Sequence, residues 1–179
     1  MGVGYLTGQG GGLNTIKTIQ KGSLDSLQIT SSGYSIPIST VDLTKSIVRL
    51  VYGSSGQTDA VTLFRAEITT PSEIKIYRAS ATGFTGVNIY WEVIEFNNVK
   101  SLQKGTTAAT TTNNTNNNVT ISSVDALKTI IFDSYTCVST SSLNQQVKGA
   151  ALTNSTTIAL VKNDTSGLST HHWQVIEFR

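Results

Sequence analysis

The sequence predicts an all-β protein, in which two tandem small antiparallel β-sandwich domains of one repeat family follow a glycine-rich N-terminal arm. Three observations support this fold class: few charged residues, an internal repeat, and apolar residues that alternate along the chain. Charged residues make up 13% of the 179 residues, against about 25% in average soluble domains. Ser, Thr and Asn take their place, and these residues suit strands with one solvated face and locally hydrogen-bonded loops.

The internal repeat consists of three sequence blocks that occur twice in the same order. Trp-Glu-Val-Ile-Glu-Phe at 91–96 returns as Trp-Gln-Val-Ile-Glu-Phe at 173–178. The block Ile-Ser-x-Val-Asp-x-x-Lys starts at Ile38 and again at Ile121, and a block ending in Gln-Lys-Gly starts at Ile16 and again at Val99. Collinear blocks with nearly the same separation predict a duplicated unit. We therefore predict an arm at 1–15, a first repeat at 16–98 and a second repeat at 99–179.

Apolar alternation inside each repeat has the period of two that is expected for half-buried strands. Val87, Ile89, Trp91 and Val93 share one face of the last predicted strand of the first repeat. We expect Trp91 and Trp173 in the core rather than at the surface as sugar-stacking platforms, because they hold matched positions in an apolar strand. The predicted core anchors of the two repeats are Trp91, Val93, Phe96, Trp173, Val175 and Phe178.

Four further matched residues are predicted at turns between strands. Gly22 and Gly105 end the first block of each repeat, and Asp42 and Asp125 begin the Val-Asp-x-x-Lys segments. Glycine is common in turns, and an aspartate can cap a turn or a single helical turn through its own side chain.

The N-terminal arm contains Gly8, Gly10, Gly11 and Gly12. A phosphate-binding glycine loop would need a strand before it and a helix after it, and neither is predicted here. Glycine loses much conformational entropy when it becomes ordered. We therefore interpret these four glycines as an arm that docks on a partner.

The sequence lacks the residue combinations of most catalytic, metal and cofactor sites, so no enzyme, metal or cofactor is predicted. His171 and His172 are neighbours on a predicted strand and would point to opposite faces, which prevents them from sharing a metal. Lys and Arg are scattered, so nucleic acid is not an expected partner. No apolar run approaches the ~20 residues of a membrane span, and the N-terminus does not have the pattern of a secretory signal.

The repeated blocks resemble a repeat of bacteriophage virion proteins, which include tail, fibre and other particle components. The resemblance rests on Ile-Lys-x-Ile-Gln-x-Gly, on Ile-Ser-x-Val-Asp-x-x-Lys-Ser-Ile and on Val-x-Ile-x-Trp-x-Val-Ile-Glu-Phe, and it covers both repeats. It implies a non-catalytic structural protein, made in the host cytoplasm, that serves in the virion as a capsid decoration, collar, tail or baseplate accessory protein. Other virion proteins and copies of the chain itself are the implied partners, and head and tail locations remain alternatives.

The end of each repeat is also similar, less closely, to the last strand of the discoidin-type lectin sandwich. This likeness implies an alternative function, namely a carbohydrate-directed receptor-binding module that attaches the phage tail to a host-surface glycan. Ile89-Tyr90 of the first repeat becomes His171-His172 in the second. Two identical sugar sites are therefore not expected.

Overall fold

The computed structural model describes residues 15–30, 32–53, 63–79, 86–109, 117–138, 148–162 and 168–179. This part of the chain forms β-strands and two single turns of 3₁₀ helix, with no α-helix among its elements. The strands of the first repeat are β1 (Ile16–Asp25), β2 (Tyr34–Pro37), β3 (Ser46–Tyr52), β4 (Phe64–Thr70), β5 (Glu73–Arg78) and β6 (Asn88–Phe96). Those of the second are β7 (Val99–Ala109), β8 (Asn117–Thr120), β9 (Thr129–Val138), β10 (Lys148–Asn154), β11 (Thr157–Lys162) and β12 (Leu168–Phe178). The proposed docking arm, with Gly8, Gly10, Gly11 and Gly12, lies outside the described residues.

Each repeat forms two three-stranded antiparallel sheets with the same strand order. The first repeat has sheets β1-β6-β3 and β2-β5-β4, and the second has sheets β7-β12-β9 and β8-β11-β10. The register is repeated as well, because β6 sets Trp91 opposite Gly22 and β12 sets Trp173 opposite Gly105. The all-β prediction of small antiparallel sandwiches is therefore confirmed. Among the described residues, no helix is long and apolar enough to cross a membrane.

Each sandwich has a hydrophobic core between its own two sheets. Trp91 and Val93 lie in the first core, together with Phe64 and the isoleucines of β5. Trp173 and Val175 lie in the second core. The other two predicted anchors, Phe96 and Phe178, belong to neither core, and both lie where the two repeats touch.

The repeated glutamines of the first sequence block bind the backbone of the connection that follows β2 or β8 in each sandwich. Gln20 on β1 donates to the carbonyl of Ser39 at 2.8 Å and accepts from its backbone N–H at 2.6 Å. Gln103 on β7 makes the same two bonds to Ser122, at 3.0 and 2.6 Å. These bonds supply a physical reason for the repetition of both sequence blocks, since each block holds one partner of the pair.

Gly22 and Gly105 lie within β1 and β7, so the prediction that they form turns is wrong. A Cβ atom on either residue would come within 2.6 Å of Cζ2 of the tryptophan on the neighbouring strand, Trp91 or Trp173. The indole ring thus occupies the space that a side chain would need. Glycine is required here by the close approach of a neighbouring group and not by turn geometry.

Asp42 and Asp125 lie at matching connections before β3 and β9. Asp42 accepts hydrogen bonds from the backbone N–H of Thr44 at 2.9 Å and from its hydroxyl at 2.6 Å. Asp125 accepts from the backbone N–H of Leu127 at 2.9 Å and caps the 3₁₀ turn Ala126–Lys128. Both carboxylates satisfy backbone donors that a tight turn leaves unpaired.

Candidate functional site

The most extensively built site of the described residues is the contact between the two repeats. The repeats use different surfaces in this contact: the outer face of the β7-β12-β9 sheet covers the edge that β3 and β4 form in the first sandwich. Ile47, Ile94 and Phe96 of the first repeat pack here against Val99 and Ile176 in one buried apolar cluster. The ring of Phe96 meets that of Phe178 edge to face, with 5.4 Å between the ring centroids.

Gln174 on β12 binds the backbone of β3 at the centre of this contact. Its side-chain oxygen accepts from the backbone N–H of Val48 at 3.0 Å, and its amide nitrogen donates to the carbonyl of Val48 at 2.8 Å. Val48 belongs to an edge strand whose outward peptide groups have no neighbouring strand among the described elements. Gln174 therefore takes the place of a paired strand and blocks an edge that would otherwise be open.

Three further hydrogen bonds tie the second repeat to the first. The backbone N–H of Ala66 on β4 donates to the hydroxyl of Ser134 at 3.1 Å, which satisfies a second edge strand. The Lys104 ammonium donates to the carbonyl of Leu43 at 3.1 Å. Thr106 donates its hydroxyl proton to the carboxylate of Glu67 at 2.9 Å. Because these groups are all paired across the contact, the two repeats are held in one defined arrangement.

His172 is buried beside this contact, next to Thr106 and Glu67. Its Nδ1 lies 3.0 Å from the Thr106 hydroxyl oxygen and 3.8 Å from the Glu67 carboxylate. Since Thr106 gives its proton to Glu67, the geometry assigns the imidazole proton to Nδ1, which donates to Thr106. Burial, with smaller contributions from the cations of Arg65 and Lys104, lowers the pKa of His172 to about 4. His172 is therefore neutral at neutral pH.

His171 lies on the opposite face of β12, inside the second sandwich. Its Nδ1 is 2.8 Å from the Asp133 carboxylate, and its Nε2 is 3.2 Å from the Ser169 hydroxyl. The ring stacks on Tyr135 with 5.1 Å between centroids. The two histidines thus point to opposite faces of the strand. No group of three His, Cys, Asp or Glu side chains in the described ranges is arranged to hold a metal ion.

The order Ser169, His171, Asp133 is the hydrogen-bond order of a nucleophilic triad. A nucleophile must be able to reach a substrate, but Ser169 is only 1% exposed. A cavity of about 280 Å³ lies between β3 and β9, and its lining includes Asp133 but not Ser169. Within the described residues, this chain of hydrogen bonds orients a buried imidazole and offers no reachable hydroxyl.

Gln174 and the pair of His171 with Asp133 are not among the site residues that the sequence predicts. One signal for Gln174 was present, because it is the single difference between the two tryptophan blocks, where Glu92 stands in the first repeat. Glu92 is half-buried and binds Arg49, with 2.5 Å between Oε2 and Nε. The charged Glu92 thus lies on a part of the first repeat that the second repeat does not cover. The neutral Gln174 lies at the matched position of the second repeat, which is buried against the first.

No protein-family model, curated protein or solved structure matches the chain.

Proposed function

We propose that this chain is a non-catalytic structural component of a bacteriophage virion, which acts by protein–protein assembly as a capsid decoration, collar, tail or baseplate accessory protein. The observation that carries the proposal is the contact between the repeats. Two buried hydrogen bonds between Gln174 and Val48, with three further hydrogen bonds that are partly buried or exposed, fix one sandwich against the other. An accessory protein that must hold a fixed geometry in a particle needs such a contact.

The charge pattern is consistent with this proposal. Lys17 pairs with Glu95 in the first repeat, and Lys100 pairs with Glu177 at the matched place in the second, both at 2.8 Å. These acids are therefore held by repeated ion pairs, which favours a structural role over acid–base catalysis. The hydrogen bond from Lys100, followed by that from the backbone of Asp125, lowers the pKa of Glu177.

Quantitative mass spectrometry on gradient-purified virions, separated into heads and tails, tests the proposal. We expect the chain at a constant ratio to the major protein of one fraction. An abundant non-virion protein of the infected cell is the control, and it should be depleted at each purification step. If the chain is depleted together with that control, the virion assignment is wrong.

The alternative function is a carbohydrate-directed receptor-binding module, and one observation favours it. A shallow cavity of about 310 Å³ opens on the first repeat, with Lys21, Gly22, Ser23, Tyr90, Trp91 and Glu92 in its wall. Tyr90 is 55% exposed and presents an aromatic ring beside charged groups, which suits a sugar ring with its hydroxyls. We expect Tyr90→Ala to abolish any signal on a glycan array, whereas Leu27→Ala, outside the cavity, keeps it. An array without signal for the unmodified chain contradicts this alternative.

A further inference from the structure

We propose that copies of this chain associate head to tail, through the uncovered face of the first repeat in one copy and the uncovered edge of the second repeat in the next. This inference deepens the proposed function, on which it rests, by naming a second copy of the chain as a partner. The open face comprises Ile19, Lys21, Arg49, Val51, Tyr90 and Glu92. The open edge comprises Leu127, Ile130, Ile131, Ala150 and Ala151.

The open face is the counterpart of the face that the second repeat uses inside the chain. Tyr90 and Glu92 on β6 correspond to His172 and Gln174 on β12, since both pairs flank the tryptophan that begins the repeated block. In the second repeat this face is buried against the first repeat. In the first repeat Tyr90 is 55% exposed, and Ile19 and Val51 are exposed to 50% and 52%. At these positions the first repeat thus presents a surface of the same type with no neighbour among the described residues, whereas Ile94 and Phe96, farther along the same face of β6, are buried against the second repeat.

The open edge is the counterpart of the edge that the second repeat covers. Ile130 on β9 corresponds to Ile47 on β3, because Lys-Thr-Ile-Ile at 128–131 repeats Lys-Ser-Ile-Val at 45–48. Ile47 is completely buried under the second repeat, whereas Ile130 is 50% exposed and the nearby Leu127 is 96% exposed. Exposed large apolar side chains next to an unpaired edge strand are a typical feature of association surfaces.

The polar groups of the two open surfaces are complementary. Ile131 pairs with Val175 in the same register in which Val48 pairs with Val93, so its N–H and C=O face the open edge as those of Val48 do. The Glu92 carboxylate can accept the N–H, and the Arg49 guanidinium that it holds can donate to the C=O. Together the pair carries the acceptor and the donor that the Gln174 amide carries alone.

The chain ends are repeated in the same way, which supports the equivalence. The backbone N–H of Asn97 donates to the carbonyl of Thr15 at 2.9 Å, and that of Arg179 donates to the carbonyl of Asn98 at 3.2 Å. Thr15 thus stands before β1 as Asn98 stands before β7.

A contact that joins one surface to a different surface produces rings or filaments rather than closed two-fold dimers.

Sedimentation velocity on the purified full chain tests the inference with two variants. Tyr90→Glu disables the open face, and Ile130→Glu disables the open edge. We expect the unmodified chain to form oligomers whose mass rises with concentration, and each variant alone to remain a 19.1 kDa monomer. An equimolar mixture of the variants should form a dimer of twice that mass and nothing larger, because each variant keeps the surface that the other lacks.

Controls separate this contact from misfolding and from other contacts. Ile19→Glu is a second face variant and should behave as Tyr90→Glu does, while Leu27→Glu, outside both surfaces, should oligomerise like the unmodified chain. Each variant must retain the circular dichroism spectrum and urea midpoint of the folded protein. An unmodified chain that stays monomeric at its highest soluble concentration overturns the inference, as does a mixture that stays monomeric or an edge variant that dimerises alone.

The two experiments fail independently. A chain that is found on virions but remains monomeric in solution contradicts the head-to-tail contact and leaves the proposed function intact. A chain that oligomerises through these surfaces but is absent from heads and tails supports the contact and contradicts the virion assignment.

Discussion

Replacing Gln174 with alanine removes both hydrogen bonds that this side chain makes to Val48, at 3.0 and 2.8 Å. A buried polar group that loses its partner destabilises a protein by about 1–3 kcal/mol. Two peptide groups lose their partners at once, and water can replace part of each bond if the contact opens. We therefore expect Gln174→Ala to lower the free energy of unfolding by about 3 kcal/mol, measured by urea denaturation with far-ultraviolet circular dichroism.

Two companion variants test whether the Gln174 amide holds the two repeats together. Glu92→Ala changes the matched position of the first repeat, where the partner is an exposed arginine, and should cost less than about 1 kcal/mol. Gln174→Glu keeps an acceptor for the N–H of Val48 but removes the donor for its carbonyl and buries a carboxylate, so it should destabilise more than Gln174→Ala. If Gln174→Ala and Glu92→Ala reduce stability equally, the amide does not hold the repeats together.

Three other outcomes follow from the burial described above. The lowered pKa of His172, about 4 against 6.5, means that the unfolded chain binds more protons, so stability should fall by up to about 3 kcal/mol as pH drops from 6.5 to 4. His172→Gln should remove this part of the pH dependence of urea denaturation. If the difference in unfolding free energy between the unmodified protein and His172→Gln is the same at pH 6.5 and at pH 4, this prediction is wrong. Gly22→Ala and Gly105→Ala should each destabilise by about 1–3 kcal/mol by crowding a tryptophan, whereas Gly149→Ala, with nothing within 4 Å of the added methyl group, should change the urea midpoint little. A fluorophosphonate probe should leave the buried Ser169 unlabelled, and labelling that disappears in Ser169→Ala would refute a non-catalytic protein.

The fold could be predicted from the sequence because its signals are local or periodic. The alternation of apolar residues around Trp91 indicates a half-buried strand, and the recurrence of three sequence blocks in one order indicates two copies of one unit. The sequence alone predicts a turn at Gly22, because glycine is common in turns. Its actual requirement comes from Trp91, which is distant in the sequence and directly opposite in the sheet.

The candidate site could not be predicted in the same way, because it depends on which surface of each copy is covered. Gln174 and Glu92 hold matched positions, and only the docking of one repeat on the other decides which becomes buried. The contact of His171 with Asp133 joins two strands that are far apart in sequence. No sequence periodicity shows that these two residues are neighbours, because their proximity depends on the strand order β7-β12-β9.

The tryptophan that faces a glycine in each sandwich also gives each repeat its own spectroscopic label. The chain has two tryptophans, and each lies in the core of a different repeat. If Trp91 is replaced with phenylalanine, the fluorescence of Trp173 follows the second repeat alone, and if Trp173 is replaced, the fluorescence of Trp91 follows the first. The two repeats can therefore be followed separately as they unfold or bind a partner, without attaching any dye.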